Sequence, residues 1–304
     1  MGAVSVALPN RFSRSKVEEV VSGYLFILPA IIVYLVFMII PILSTFVLSF
    51  TNYQLLSVPK FMAFRNYIRA LSDPRILRIY LNTLEFAFFA VVGNVGLGLL
   101  LAVLLNRKIA SWLNYAFRFA YFVPIVVSYV YVSLVWSVFY AQDTGIINYY
   151  LNRLGLHSVG WLTDYRLALF SIIFMDIWKN VGFFMVIFLA ALQGVPVEYY
   201  EAARLDGCTA GKLFRYITFP SISPTAFFCL IWASIGALQV FDAVYILTQG
   251  GPGDATRSIV VYVYQTAFQK FQLGSASSMS VILFIFINIL TLVQFKISKR
   301  WVHS

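Results

Sequence analysis

Six stretches of predominantly apolar sequence constrain this chain more than anything else in it. They lie near residues 24–44, 83–105, 121–140, 167–192, 224–247 and 279–297, each close to the ~20 residues a helix needs to cross a bilayer. Hydrocarbon offers no partner to a bare amide or carbonyl, so such a span closes its own hydrogen bonds as an α-helix. The predicted fold class is an all-α membrane protein with six transmembrane helices. Composition agrees: 61% of the 304 residues are hydrophobic and 11% are charged, against about 25% charged in soluble domains. Pro29, Pro41, Pro124 and Pro224 fall near ends or first turns of the spans, where a neighbouring helix or water can satisfy the freed carbonyls.

A formal net charge of +10 invites a nucleic-acid reading, but the arginines and lysines sit mostly between the apolar runs and at the tail, so no nucleic-acid partner is predicted. Six spans put both termini on one side. That side carries Arg11, Arg14, Lys16, Arg107, Lys108, Arg118, Arg204, Lys212, Arg215, Lys296, Lys299 and Arg300; the other carries nine basic residues, five of them within 51–82. The positive-inside bias therefore favours cytoplasmic termini. The two cysteines, Cys208 and Cys229, and the two histidines, His157 and His303, show neither metal-ligand spacing nor a catalytic cluster. No catalytic residue and no metal site are predicted.

One polar interruption between spans is out of the ordinary: VPVEYYEAARLDGCTAGKLFRYITFP, residues 195–220. Pro196 stands where a helix can start without losing an amide. Glu198 and Glu201 follow in the first turns, where carboxylates suit the positive end of the helix dipole. Gly207 can end the helix in a left-handed conformation. Thr209 can cap a second short helix with an apolar face of Leu213, Phe214 and Ile217. The prediction is a helix, a glycine hinge and another helix at the membrane surface.

Glu201-Ala202-Ala203, three residues, Gly207, nine residues, Ile217, one residue and Phe219-Pro220 resemble the EAA loop of binding-protein-dependent ABC importer permeases. Phe219 stands where leucine is usual, which keeps an apolar contact. The resemblance implies a type I importer permease fold with a cytoplasmic coupling helix that docks on a separate ATPase subunit. Glu198, Glu201, Ala202, Ala203, Asp206, Gly207, Leu213, Phe214, Ile217 and Pro220 are the implied coupling residues. Glu201 would meet the ATPase surface, Gly207 would set the angle between the short helices, and Leu213 with Phe214 would pack into the docking cleft.

After the fifth run comes FDAVYILTQGGPGDAT, in which Gly250, Gly251, Pro252 and Gly253 force a turn. Phe241-Asp242, Thr248, Gly250-Gly251-Pro252 and Thr256, then Tyr264, Ala267-Phe268 and Gly274-Ser275-Ala276, are similar to sugar-uptake permeases of the kind maltose and glycerol-phosphate importers use. YLFILPA and Asn66-Tyr67 fit as well, so the resemblance covers about residues 24–295. It implies a core permease domain at 79–295, preceded by 1–78 and followed by a tail at 296–304. It also implies location in a bacterial or archaeal cytoplasmic membrane. The implied partners are a second, non-identical permease, two ABC ATPases that bind the ATP and magnesium, and an extracytoplasmic solute-binding protein that touches Gly250, Gly251 and Pro252. No cofactor is implied in this chain itself.

The fourth run places Asp176, Trp178, Lys179 and Asn180 deep in apolar sequence. Charges at membrane depth are costly and face a cavity or a partner. Asp176 and Lys179, three apart, read either as a self-neutralised buried pair or, with Asn180 and a stacking Trp178, as the lining of a path for a hydroxyl-rich solute. Gln239 and Asp242 in the fifth run fall under the same logic, whereas Asn288 reads as interhelical glue. Gly98 and Ala102 form a small-xxx-small pair that lets a neighbouring helix approach. The basic, aromatic segment 51–82 reads as lying on the outer leaflet or as touching the delivery protein. GCTAGKL is no phosphate loop: three residues rather than four separate its glycines, and Leu213 replaces the magnesium-binding hydroxyl.

The function expected is a permease subunit of an ATP-driven importer for a sugar, oligosaccharide or polyol. A glycerol-phosphate-type solute and an ATP-independent secondary transporter are the alternatives, and an intramembrane enzyme lacks a constellation to support it.

Overall fold

The computed structural model describes residues 14–302 apart from residues 56, 108 and 109. Arg11, Lys108 and His303 therefore lie outside the described residues, as do the side chains of Arg14 and Lys16. Among the described residues the regular structure is helical, apart from one isolated bridge between Thr51 and Phe61.

The first span consists of α1 (Arg14–Tyr34), a π turn at Leu35–Ile39 and α2 (Ile40–Ser49). A second π turn, Phe214–Thr218, occupies the start of the fifth span. Each ends two residues before a proline. Ile40 donates its amide to the Leu35 carbonyl and Phe219 to that of Phe214, and Pro41 and Pro220 follow. A proline ring crowds the carbonyl four residues back, and widening the turn to i→i−5 relieves it without breaking the helix.

After α3 (Arg65–Ser72), α4 (Pro74–Leu105) begins nine residues before the apolar run of the second span does. Local capping explains this. Asp73 is the N-cap and accepts from the Arg75 amide at 2.9 Å, with Pro74 in the first turn. The segment before α4 is folded onto the chain. Asn66 Nδ2 donates to the carbonyls of Ser49 and Thr51 at 2.9 and 2.7 Å, and Ala70 is buried.

The third run, expected as one helix, is two: α5 (Ser111–Val126) and α6 (Tyr129–Phe139), bent by 104°. Pro124 removes an amide near the end of α5, and Val127 and Ser128 adopt extended backbone. The carbonyls set free at membrane depth need a partner from elsewhere. α7 (Ile146–Arg153) follows α6.

α8 (Ala168–Gln193) is the axis of the molecule. Its buried residues run nearly its full length and join two apolar clusters. One gathers Phe86, Trp136, Ile172, Met175, Leu238 and Val244; the other gathers Ala102, Phe184, Phe188, Leu192, Ile222 and Cys229. Small residues allow this. A Cβ at Gly98 would stand 2.6 Å from that of Phe184, and one at Gly182 would overlap the Tyr121 carbonyl oxygen. Ala102 is fully buried in the second cluster, so the Gly98–Ala102 face of α4 is the bundle-facing one.

α9 (Val197–Leu205) and α10 (Ala210–Leu213) form the polar interruption, but the second short helix is not a separate element. It continues through the π turn into α11 (Phe219–Leu238), and the span reaches from Ala210 to Leu247. This span is also interrupted where one helix was expected. Residues 239–241 are irregular, and α12 (Asp242–Leu247) resumes beyond them. α13 (Ile259–Tyr264) and α14 (Leu273–Ser298) complete the chain. Ile79, Ile259 and Met279, all fully buried, fasten α4, α13 and α14 together.

Candidate functional site

The two interrupted spans face each other across a cavity of about 530 Å³. Its wall takes Asn94 from α4, Ile125 and Tyr129 from the two sides of the α5–α6 break, and Asp176, Asn180 and Phe183 from α8. Trp232, Gln239, Phe241 and Asp242 come from α11, its break and α12. Irregular backbone at membrane depth is tolerated where it lines a cavity, and both breaks do so. Of the residues singled out in sequence, Asp176, Asn180, Gln239 and Asp242 meet here; Trp178 and Lys179 do not line it. At about 100° per residue, Asn180 shares the Asp176 face and Trp178 turns to the far side, whereas Lys179, about 60° from Asp176, is drawn aside by backbone carbonyls of α5. Trp178 stacks edge-on against Trp136 at 5.5 Å, and Trp232 supplies the cavity's indole instead.

Asp176, 6% exposed, is engaged by the protein. Its Oδ2 accepts from Asn94 Nδ2 at 3.1 Å; its Oδ1 accepts from the Tyr129 hydroxyl and from Asn180 Nδ2. Asp176 and Lys179 form no salt bridge; the ion pairs among the described residues are those of Asp254 with Arg75 and Arg257. Lys179 reaches the other way, donating from Nζ to the carbonyls of Pro124 and Ile125 at 3.4 Å each. These carbonyls belong to the last turn of α5, where a cation also suits the helix dipole. Among the described residues Gln239 and Asp242 find no side-chain hydrogen-bond partner, so both are open to a ligand. Asn94 Oδ1 is buried without a partner. Asn94, Tyr129 and Trp232 escaped the sequence reading, because a single amide or aromatic in an apolar helix resembles packing; the signal for Asn94 was its place between Gly93 and Gly96.

At the other end of α8, the Gly207 φ of +73° ends α9 in a left-handed turn as predicted. The Cys208 amide donates to the Ala203 carbonyl and that of Gly207 to Arg204, both at 3.0 Å. This is the paired closure that a C-terminal glycine permits. Pro196 sits at the N-cap, one residue before the helix proper. Thr209 is the N-cap of α10, but its side chain makes no capping bond; the continuous run into α11 holds that turn. Glu198, Glu201, Ala202 and Asp206 are exposed, and Ala203 is buried. Leu213, Phe214, Ile217 and Pro220 are half-buried. Leu213 and Phe214 border a crevice with Tyr200, Asn106 and Val103 of their own chain. Leu205, 90% exposed, is the apolar side chain that projects from the turn.

The glycine-rich loop at 248–257 is folded rather than loose. The Thr256 hydroxyl donates to the Gly251 carbonyl at 2.7 Å, and Asn82 Nδ2 donates to the Asp254 carbonyl at 2.7 Å. Gly250, at φ +96°, is buried against Arg257; Gly251 and Pro252 are half-buried. Burial alone pushes the Asp254 carboxyl up. The Arg75 hydrogen bond and the Arg257 and Arg75 charges outweigh it, and hold the group below its ordinary range.

Residues 94–304 match the family model described as binding-protein-dependent transport system inner membrane component. The chain is 35% identical over 295 residues to the trehalose/maltose transport system permease MalF of Thermococcus litoralis, covering 95% of this chain and 98% of that one. It is 33% identical to the lactose transport system permease LacF of Rhizobium radiobacter, with the same coverage. A bacterial alginate ABC transporter crystallised with a pentasaccharide-bound periplasmic protein superposes with TM-score 0.84 at 23% identity, covering 94% and 96% of the two chains. That places the all-helical fold among type I ABC importer permeases. The chain belongs to the binding-protein-dependent transport family and is a permease component of an ABC importer, a membrane transport subunit rather than an enzyme.

Proposed function

We propose that the chain carries a neutral carbohydrate (a sugar, oligosaccharide or polyol) as one of two non-identical permeases in a cytoplasmic membrane, with both termini in the cytoplasm. Two ATPase subunits, which hold the ATP and magnesium, dock on the 195–220 loop. Their closure swings the cavity between inward and outward access. The exposed face of Glu198, Glu201, Asp206 and Leu205 meets the ATPase, while Leu213 and Phe214 brace the loop against α4 and α8. An extracytoplasmic binding protein delivers solute at Gly250, Gly251 and Pro252.

The observation that carries this reading is the chemistry of the cavity. Gln239 and Asp242 offer unengaged hydrogen-bonding groups, and Tyr129, Phe183, Trp232 and Phe241 offer aromatic faces. That combination suits a sugar, whose hydroxyls want amides and carboxylates and whose C–H faces pack on rings. A phosphorylated solute wants an arginine fork. No arginine lines the cavity, Lys179 is directed at backbone carbonyls, and the Asp242 carboxylate is there. The names of the relatives, which include an arabinooligosaccharide permease of Bacillus subtilis at 31% identity, support the same class.

The test begins with mild-detergent purification of the tagged chain from native membranes. A second permease, a Walker-motif ATPase and a binding protein should co-purify, and the reconstituted complex should take up labelled maltose, trehalose or lactose on ATP. Asp242→Ala should lower uptake about tenfold or more, as loss of a hydrogen bond to a charged group worth about 1.5–3 kcal/mol implies, and Gln239→Ala about 2- to 10-fold, as loss of a neutral one worth about 0.5–1.5 kcal/mol implies. A chain recovered alone, or uptake indifferent to both substitutions, would sink the reading.

A further inference from the structure

We propose that Lys179 is a positioning residue for the cavity wall: its ammonium fixes the end of α5 at the break with α6, and so sets where Ile125 and Tyr129 stand. This rests on the cavity being the solute path only for its consequence, not for its geometry. Three observations carry it.

First, α8 grips the two sides of the 104° break with different side chains. On the α6 side the Tyr129 hydroxyl, from the helix's first residue, donates to Asp176. On the α5 side Lys179, 4% exposed, donates to the Pro124 and Ile125 carbonyls, and its ammonium lies 4.5 Å from the Tyr129 ring centroid. One turn of α8 thus holds both lips of the break through groups of opposite charge.

Second, α5 is shallowly seated on the bundle. Of its residues only Pro124 is buried, whereas α6 buries Val132, Ser133 and Trp136. α5 lies along α8, closest at Gly182, with Tyr121 half-buried against the second apolar cluster, and Asn114 Nδ2 donates to the Leu105 carbonyl at 2.8 Å.

Third, Ile125 and Tyr129, the residues whose backbone or ring Lys179 touches, both line the cavity. A lysine buried at membrane depth is costly unless partnered. Its partners here are carbonyls that the break itself sets free, and an aromatic face.

The experiment uses the assembled importer in lipid nanodiscs, with Cys208→Ser and Cys229→Ala. Spin labels go on exposed Tyr115 of α5 and exposed Phe174 of α8. A control pair on Phe88 of α4 and Phe174 reports the rest of the bundle. Lys179→Met should move the α5–α8 distance by about 2 Å or more, on the scale of helix shifts, and broaden its distribution, leaving the α4–α8 distance unchanged. Lys179→Arg, which keeps the charge and the donors, should restore both. An unchanged α5–α8 distance in Lys179→Met overturns the proposal, as does a failure of Lys179→Arg to restore it. If Lys179→Met does not reach the membrane, Lys179→Gln is measured by the same criterion. Loss of both from the membrane makes the contact a folding determinant and overturns the positioning role. None of these outcomes depends on which solute is carried, so failure of the carbohydrate reading shows separately, in the uptake of Gln239 and Asp242 variants.

Discussion

Substituting Gly207 by Asn, Ala and Val makes a graded test of the turn between α9 and α10. A Cβ added there meets nothing within 4 Å, so sterics with neighbours contribute nothing and the whole cost is backbone. At φ +73° a residue with a Cβ loses roughly 1–2 kcal/mol, whereas asparagine tolerates the left-handed region better. A β-branched side chain is worst placed there. Relief comes from unwinding the turn, which gives up the Cys208–Ala203 and Gly207–Arg204 bonds and opens the angle between the short helices. A cost of about 1–2 kcal/mol lowers the ratio of turned to unturned loops about 5- to 30-fold. The assay is ATP hydrolysis stimulated by loaded binding protein in proteoliposomes, with uptake alongside and subunit amount measured by immunoblot. Asn should stay close to the native chain, Ala should fall below it and Val should fall furthest, all at unchanged membrane amounts because residue 207 is exposed. Ala and Val matching the native chain, or Asn as poor as Val, would refute the reasoning.

Three further outcomes are expected. Gly182→Ala drives a methyl into the Tyr121 carbonyl and should lower the stability of the purified complex by about 1–3 kcal/mol, the usual range for overpacking, read as a drop in midpoint temperature. Asp176→Leu leaves Asn94 and Tyr129 as donors without an acceptor, at about 1–3 kcal/mol each; subunit should be lost from the membrane, whereas Asp242→Asn, whose side chain bonds nothing in the chain, should keep its amount. Because the Asp254 carboxyl is held below its ordinary range, its ties to Arg75 and Arg257 stabilise the outer loop fully above the unfolded carboxylate value of about 3.9. That contribution disappears as pH falls through the lowered value. The protection of amides in residues 248–257, measured as exchange relative to the intrinsic rate at each pH, should thus hold through the neutral and mildly acid range and fall only in strong acid.

The spans were legible because hydropathy integrates over twenty residues, and α8 and α14 lie close to where their apolar runs do. The breaks were not legible. Residues 121–140 are apolar throughout, and Pro124 is a weak signal, since α11 carries Pro224 without breaking. The partner of the carbonyls freed at the end of α5 is tertiary: Lys179, on another helix, donates to those of Pro124 and Ile125. The same reason hid the direction of Lys179, whose spacing from Asp176 suggested an ion pair, while partners on other helices engage the two side chains separately. The glycine turn at 207 was legible because its conformation is written locally, in one residue type and two backbone bonds. Leu205 was not, because exposure of an apolar side chain depends on what lies beside it.

The span from Ala210 to Leu247 joins the surface loop to the cavity in one piece. From Ala210 to Leu238 it measures about 43 Å at 1.5 Å per residue, longer than the hydrocarbon it crosses. It is a strut with one foot beside the Gly207 turn and its tip at Gln239. Over that length a tilt of about 5° sweeps the tip by about 4 Å, more than the length of a hydrogen bond. A modest push on the loop is thus geared into making or breaking contact at Gln239, and the mechanical advantage is built into the length of a single helix.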